Sequence, residues 1–367
     1  MNARADWRAT VASLAPGFAA RAARLDESDD FVAENYRELK ESGLYAAGVP
    51  RELGGDGLEI EELCEMLRTI AQACSSTGLA FSMHTHQVAL NAWRFKHQKA
   101  PVGPLLEKVA LDKVLILSTG GGDWLDSSGD AVPADGGFRV TARKLFSSGS
   151  PAGHILSTSA VVHGKGEVIH FGIPMSSPGI SIKPTWRTMG MRSTASNDLL
   201  LENVFVPEAA VGARRPQGKW HPLIHLISMI ALPIVYSVYV GVAEAARDRA
   251  LALVRKRRAD EHLLQAVGEM ENQLESARIA HASWVRFCKD AQPGAATTSN
   301  SMVHKTLTAR GVLGTVDAAM DAAGGAAFFR ANGLERLFRD AQGARYHPLQ
   351  EGLQKALSAR HALGIES

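Results

Sequence analysis

The run VLILSTGGGD at residues 114–123 marks the point where the sequence changes from helical to extended patterning. After it, short apolar segments such as GFRVTARKLFSSG (137–149) and DLLLENVFVP (198–207) are divided by clusters of glycine, proline and aspartate. This alternation is typical of an antiparallel β-barrel or sandwich. We therefore expect a middle domain of antiparallel strands at residues 114–212.

The segments on both sides of this middle domain have helical patterning. Before it, DDFVAENYRELKESGL (29–44) places apolar residues three and four positions apart, and the same spacing returns after residue 212 in long segments. These later segments are approximately 221–256, 261–291, 299–325 and 333–346. The predicted fold class is α+β, with an N-terminal helical domain (1–113), a middle antiparallel β-barrel domain (114–212) and a C-terminal four-helix bundle (213–367).

The composition is that of a soluble globular protein, with 46% hydrophobic and 21% charged residues in 367. A net charge of +2, with no basic block beyond RKRR (255–258), argues against nucleic acid as a partner. The three cysteines have no CxxC spacing, so no metal site is expected, and their low and odd number predicts a protein of the reducing cytoplasm. The first residues lack the apolar region of a secretory signal.

One run, LIHLISMIALPIVYSVYVGVA (223–243), is nearly long enough to span a membrane. His225, Ser228, Pro233 and Ser237 interrupt it, and a charged helical pattern follows at once. We interpret it as a helix buried on most sides in a multi-helix core, and no membrane association is expected.

Four parts of the sequence resemble the acyl-CoA dehydrogenase family. They are PRELGGDGLEIEEL with SSTGLAFSMH (50–63 and 75–84), GMRSTASNDLLLENVFVP (190–207), GVAEAARDRALALVRKR (241–257) and GGAAFFRANGLERLFRDA (324–341). The resemblance implies a three-domain subunit with a flavin in the crevice between barrel and C-terminal helices, usually in a homotetramer. It also implies an oxidoreductase with a small-molecule substrate.

The family's usual catalytic base has no counterpart in this sequence. Family dehydrogenases remove an α-proton from an acyl thioester with a glutamate that follows the RDA stretch. An ungapped match puts Pro348 at that position. A minority of relatives carry the base on the first long C-terminal helix, where the best match is Ala231. Glu351 is the remaining carboxylate that would take the role if the loop shifted.

A second branch of the superfamily, the monooxygenases that receive reduced flavin from a separate reductase, also lacks this glutamate. Its members resemble this sequence at His347, several residues after the Arg-Asp pair, and at Ser148 in KLFSSG. His84, in SMHTH, matches an active-site histidine of some of them. Oxygen activation needs donors that stabilise developing negative charge and a group that titrates near neutrality. We therefore predict catalytic roles for His347, Ser148 and His84.

The resemblance also predicts the flavin-binding residues. They are Ser118 and Thr119 in STGGGDW, the triplet Phe146, Ser147 and Ser148, Arg257, and the paired Gly324 and Gly325. The glycines of STGGGDW would let backbone N–H groups approach the flavin, although a simple turn would explain them equally. Two departures weaken the adenosine half of an FAD site: no Phe-Gly follows Arg257, and Asp321 replaces a glutamine. Both FAD and FMN are therefore expected candidates, with the FMN phosphate on Arg257 or Arg258. Without a phosphate, Arg257 would cap a helix.

Three functional hypotheses follow. The favoured one is a reduced-flavin-dependent monooxygenase; the alternatives are an FAD-containing acyl-CoA dehydrogenase with a relocated base and a non-catalytic subunit or scaffold. A flavin reductase is the expected partner of the first, and an electron-transfer flavoprotein of the second. Arg336, Arg339 and Asp340 are predicted to form a buried polar network that positions the last helices.

Overall fold

The computed structural model describes residues 6–119, 121 and 124–365. Gly120, Gly122 and Asp123 of STGGGDW lie outside the described residues. The prediction that the backbone N–H groups of Gly120 and Gly122 approach a flavin therefore falls outside the described part of the chain. Along the described chain, helices come first, then strands, then helices, which confirms the predicted α+β order.

The N-terminal part is helical because apolar residues recur at helical spacing and polar side chains cap the ends. Helix α3 starts with a capping box in which the side chains of Glu59 and Glu62 bind each other's backbone N–H groups. Helix α4 is buried along most of its first three turns. The helices are α1 (Trp7–Ser28), α2 (Ala33–Glu41), α3 (Ile60–Ala73), α4 (Ser75–Gln98) and α5 (Gly103–Leu111).

Among the described residues, eight strands form one sheet in the middle of the chain. Buried and exposed residues alternate along β3 from Phe138 to Lys144, as in a strand with one face on a core. The order is β6-β7-β3-β2-β4-β5-β8, with β1 also paired to β4. The strands are β1 (Ile116–Ser118), β2 (Asp130–Ala134), β3 (Gly137–Ser147), β4 (Ile155–Val162), β5 (Glu167–Pro174), β6 (Ile180–Lys183), β7 (Asn197–Pro207) and β8 (Val211–Pro216).

The sheet is mixed rather than purely antiparallel as predicted. Strand β1 pairs with the first residues of β4 and β2 with its last two, and both pairings are parallel. Two short strands therefore share one edge of β4, because the chain crosses over between them. Local alternation of residues reveals strands but not this pairing.

The C-terminal part consists of three long helices, α6 (Pro222–Val254), α7 (Glu261–Asp290) and α8 (Ala295–Ala323), with the short α9 (Leu334–Ala341) and α10 (Glu351–Ala362) against them. Helix α10 was not predicted. Helix α6 is long and apolar enough to cross a membrane, but 94% of its most apolar window is buried inside the protein. The prediction of a buried core helix is confirmed.

Gly241 allows α6 to pack closely on α3. A Cβ atom at this position would collide with the backbone oxygen of Arg68 and approach the Ala71 side chain to 3.1 Å. We expect Gly241→Ala to destabilise the protein by about 2 kcal/mol, because the two backbones must move apart. The measurement is chemical unfolding.

Gly268→Ala on α7 is the matched control, since its Cβ would meet nothing within 4 Å. This change should stabilise the helix by about 0.5 kcal/mol through the lower chain entropy of the unfolded state. Equal effects of the two substitutions would contradict the packing argument.

Candidate functional site

The segment that contains His347 lies between α9 and α10 and is fixed by two tyrosines of α6. The Tyr236 hydroxyl donates to the Ala344 carbonyl oxygen at 2.6 Å, and the Tyr239 hydroxyl is 2.8 Å from His347 Nε2. A Cβ at Gly343 would lie 2.6 Å from the Tyr239 hydroxyl. A glycine is therefore needed for the segment to approach α6, and this approach orients the His347 ring.

A buried lysine completes the anchoring of this segment. Lys305 of α8 is 2% exposed, its Nζ donates to the Leu349 carbonyl oxygen at 2.8 Å, and it lies 5.2 Å from the centre of the Tyr236 ring. Burial lowers the pKa of Lys305 to about 8, against the opposing charge of Glu351. The sequence analysis did not identify Lys305. The one feature that could have indicated a buried lysine is its position among small and apolar residues of a helix.

His347 differs from the expectation of a group that titrates near neutrality. Burial, then the charge of Lys305, then that of His86, lower the pKa of His347 to about 3. The expectation of titration near neutrality was wrong, because a sequence does not show how far a side chain is removed from water. His347 is neutral at pH 7.

His84 connects α4 to β1. Its Nδ1 accepts the backbone N–H of Ile116 at 3.0 Å, so Nε2 carries the proton and donates it to the Tyr45 carbonyl oxygen at 2.9 Å. Burial lowers the pKa of His84 to about 4. Both ring nitrogens serve the fold in this arrangement, and the catalytic role of His84 stays a prediction.

His86 faces the opposite side of α4, and its charge lowers the pKa of His347. Its Nε2 is 3.2 Å from the Ser118 hydroxyl, and its Nδ1 is buried without a hydrogen-bond partner among the described residues. The charge of His86 acts on His347, whereas His84 is not among the groups that shift the His347 pKa. The structure therefore brings together His86, Ser118 and His347 from three parts of the chain.

The serines at the end of β3 form a hydroxyl cluster. The Ser148 hydroxyl is 2.7 Å from that of Ser196, which lies 2.7 Å from that of Thr194. Ser147 is fully buried, and its hydroxyl has no hydrogen-bond partner in the described part of the chain. The cluster belongs to the same junction because α4 contacts both β1 and the turn Arg192–Thr194.

Two further predicted residues lie at the ends of strands β1 and β3. Thr119 shares a hydroxyl contact of 2.6 Å with Thr158 of β4. Phe146 is half exposed, with φ at +59°, and its ring meets that of Trp186 edge-on at 6.2 Å. A half-exposed aromatic ring next to buried hydroxyl groups is a surface on which a flat ligand can lie.

The residues at this junction fit the ring system of a flavin. Buried polar atoms are normally hydrogen-bonded, so the partnerless Ser147 hydroxyl and His86 Nδ1 indicate a missing partner. The hydroxyl of Tyr36 is similarly buried without a partner among the described residues, and it would lie 3.0 Å from a Cβ at Gly149. Neutral hydroxyl and imidazole groups suit the neutral polar edge of an isoalloxazine.

Three predicted cofactor residues lie together at the end of α8, where Arg257 binds backbone oxygens of the protein itself. Arg257 Nη1 donates to the carbonyl oxygens of Ala322 and Ala323 at 3.0 and 3.4 Å, next to Gly324 and Gly325. Arg257 thus satisfies the free carbonyls at a helix end. Its role towards a phosphate stays a prediction.

The predicted polar network is present for Arg339 and Asp340. Arg339 binds Asp26 and Glu335 through its guanidinium group, and Asp340 accepts the backbone N–H of Met191 at 2.5 Å. These contacts connect α9 to α1 and to the barrel segment at residues 189–191. Burial raises the pKa of Asp340 to about 6.

Glu351, the carboxylate that would replace the base, is held in ion pairs at the protein surface. Glu351 forms ion pairs with Arg310 and with Lys355, the latter at 2.8 Å. The hydrogen bond from Arg310 is the main reason that the pKa of Glu351 falls to about 2. Such a group is a poor proton acceptor at neutral pH. Ala231, the other candidate position, lies buried in α6.

Comparison with known proteins agrees with this architecture. The family models for the acyl-CoA dehydrogenase N-terminal domain and C-terminal domain match residues 3–104 and 234–351. Putative acyl-CoA dehydrogenase YdbM of Bacillus subtilis (strain 168) is 27% identical, over 93% of this chain and 92% of its own. The pigment production hydroxylase of Rhodococcus sp. (strain ATCC 21145) is 29% identical, over 74% and 71% of the two chains.

Among solved structures, KijD3 in complex with FMN and a dTDP sugar is similar in fold. It has a TM-score of 0.89 at 23% identity, over 98% of this chain and 94% of that one. The two family models together cover more than half of the sequence and agree with the α–β–α order of the structure. The protein is a member of the acyl-CoA dehydrogenase family of flavin-dependent oxidoreductases.

Proposed function

We propose that this protein is a monooxygenase that uses reduced flavin. The observation that carries the proposal is a neutral histidine, His347, held in place by Tyr239 one residue before the position expected for the family's base. In the ungapped match Pro348 stands at the position of the base. The two nearest carboxylates in sequence, Asp340 and Glu351, are bound to Met191 and Arg310. Without a base for the α-proton, dehydrogenation of an acyl thioester lacks its first step.

A flavin held at this junction and reduced by a partner reductase would supply the electrons that activate oxygen. Burial raises the pKa of Tyr239 well above its ordinary value and lowers that of His347, so both groups are neutral. If the Tyr239 hydroxyl donates to His347 Nε2, Nδ1 keeps the ring proton. We assign this Nδ1–H as the donor that orients oxygen or substrate.

Lys305 and the hydroxyl groups have supporting roles. The Lys305 ammonium group holds the carbonyl of Leu349 and places a positive charge near His347, which stabilises developing negative charge. Ser118 donates to the flavin edge in a direction fixed by its contact with His86. Thr194 donates to the Met191 carbonyl oxygen, so Ser196 donates to Thr194 and Ser148 donates to Ser196, which leaves the Ser148 oxygen as an acceptor for the flavin. His86 Nδ1 is a further group that faces the cofactor in this proposal.

The relatives support the same function. One relative is a pigment production hydroxylase. KijD3, which has a similar fold, was solved in complex with FMN. We propose FMN as the cofactor, a small organic molecule as the substrate, a flavin reductase as the partner, a homotetramer as the assembly and the cytoplasm as the location. The second candidate, an acyl-CoA dehydrogenase with FAD, is favoured by the match to YdbM along almost the whole chain.

The test is to supply the purified protein with reduced FMN, isotope-labelled oxygen and a panel of aromatic compounds. We expect labelled oxygen in a product, detected by mass spectrometry, and only weak binding of oxidised flavin. Tightly bound FAD that loses its colour when an acyl-CoA is added without oxygen would instead identify a dehydrogenase. Failure to bind flavin in either redox state would identify a non-catalytic subunit.

A further inference from the structure

A separate cavity of about 410 Å³ lies at the end of the helical bundle where α6 and α8 begin. Its walls include Trp220, His225, Thr298, Leu357, His361 and Ile365. His225 and Tyr239 are fourteen residues apart on α6, which is about 21 Å along the helix axis. The cavity is therefore distinct from the His347 site, and nothing in the proposed function uses it.

The hydrogen bonds of His225 determine which ring nitrogen carries its proton. His225 Nδ1 lies 2.8 Å from the Thr298 hydroxyl, which lies 2.8 Å from the Ser228 hydroxyl, and Ser228 donates to the His225 carbonyl oxygen at 2.7 Å. Each of these three contacts requires one proton. The two hydroxyl groups supply two, so His225 Nδ1 must supply the third.

This assignment leaves His225 Nε2 as an acceptor. Burial, and to a smaller extent the charge of His221, lower the pKa of His225, so the ring is neutral at pH 7 and Nε2 has a free lone pair. Trp220 stacks parallel to the ring, with centroids 5.5 Å apart and an angle of 4°. Trp124 packs edge-on against Trp220 at 5.7 Å and supports this stack.

The remaining lining is apolar or aromatic. Leu357 and Ile365 provide alkyl walls, His361 provides a third ring, and no lysine, arginine or carboxylate lines the cavity within the described residues. A charged ligand would find no opposite charge there, whereas a neutral ring would find aromatic neighbours. The volume is in the range of small-molecule sites.

We propose that this cavity binds a neutral aromatic molecule that carries one N–H or O–H donor, with the donor on His225 Nε2 and the ring against the Trp220 side of the cavity. The site is additional to the oxygen-activating site and holds a second small molecule. The proposal does not depend on the monooxygenase reaction.

Indole and N-methylindole are suitable probes because they differ in the single N–H donor. We expect calorimetric titration of the full-length protein, saturated with FMN, to give about fivefold tighter binding of indole, as one neutral hydrogen bond would provide. In His225→Phe, which keeps an aromatic ring but removes the acceptor, indole should bind about fivefold more weakly. N-methylindole should bind this variant as it binds the wild type.

Two further variants separate this cavity from the rest of the protein. Trp220→Leu should weaken binding of both probes, and His347→Ala should change neither. Equal binding of the two probes to the wild-type protein would overturn the proposal without any variant, and so would no binding of either. A loss of indole binding in His347→Ala would place the ligand in the other site and also overturn it.

Discussion

Replacement of His347 by alanine is expected to reduce product formation by about 100-fold at saturating substrate, because a positioned hydrogen-bond donor is lost from the reacting centre. The fold should survive the change. The main structural loss is the contact with Tyr239, whose buried hydroxyl would be left without its partner at a cost of about 1 kcal/mol. The measurement is labelled product per mole of reduced FMN supplied, together with the unfolding temperature.

Two controls make the His347 result specific. Tyr239→Phe keeps the ring but removes the hydroxyl that orients His347, so it should lower turnover less than the loss of His347 does. His262→Ala, an exposed histidine at the start of α7, should change neither turnover nor stability. Wild-type turnover in His347→Ala would leave this histidine with a purely structural role at the break between α9 and α10.

The largest effect on stability is expected for Glu244→Gln. Glu244 is 3% exposed, and its two oxygens accept hydrogen bonds from Arg68, Gln72 and Arg278 at distances of 2.5 to 2.8 Å. A glutamine would remove the charge and turn an N–H₂ group towards these donors. We expect a loss of about 3 kcal/mol in the free energy of unfolding, at the low end for buried pairs because both arginines are partly exposed.

The same group predicts a pH dependence. Burial alone would raise the pKa of Glu244, but the hydrogen bonds and charge of Arg68, with those of Arg278 and Gln72, lower it below the ordinary value of 4.5. A lowered pKa in the folded state means that the stabilisation is complete above pH about 4.5 and is lost as the pH falls through the folded pKa. Glu244→Gln should therefore lose stability less steeply in acid than the wild type does.

Glu275→Gln is the matched control for this prediction. Glu275 is exposed and lies 3.9 Å from the same Arg278. The pair is on the surface, so its removal should cost less than about 0.5 kcal/mol and leave the acid dependence unchanged. Equal unfolding temperatures of the two variants would contradict the role assigned to the buried carboxylate.

The histidines show how far sequence reasoning reaches into the site. Pro348 cannot continue a helix, and the structure has a break at this point between α9 and α10. The prediction of His84 rested on the match of SMHTH to an active-site histidine of relatives. It did not include the backbone N–H of Ile116 or the carbonyl of Tyr45, which occupy both nitrogens of His84 in the fold.

The sequence by itself determined the order of helices and strands, the buried nature of α6 and the lack of a carboxylate at position 348, because periodicity, composition and motif position are local properties of a chain. Only the tertiary structure decided that Glu244 meets Arg68, 176 residues away, and that Lys305 lies next to His347. It also decided that burial keeps His347 neutral. These features depend on which distant segments meet and exclude water, and the charge state of a group follows from that exclusion.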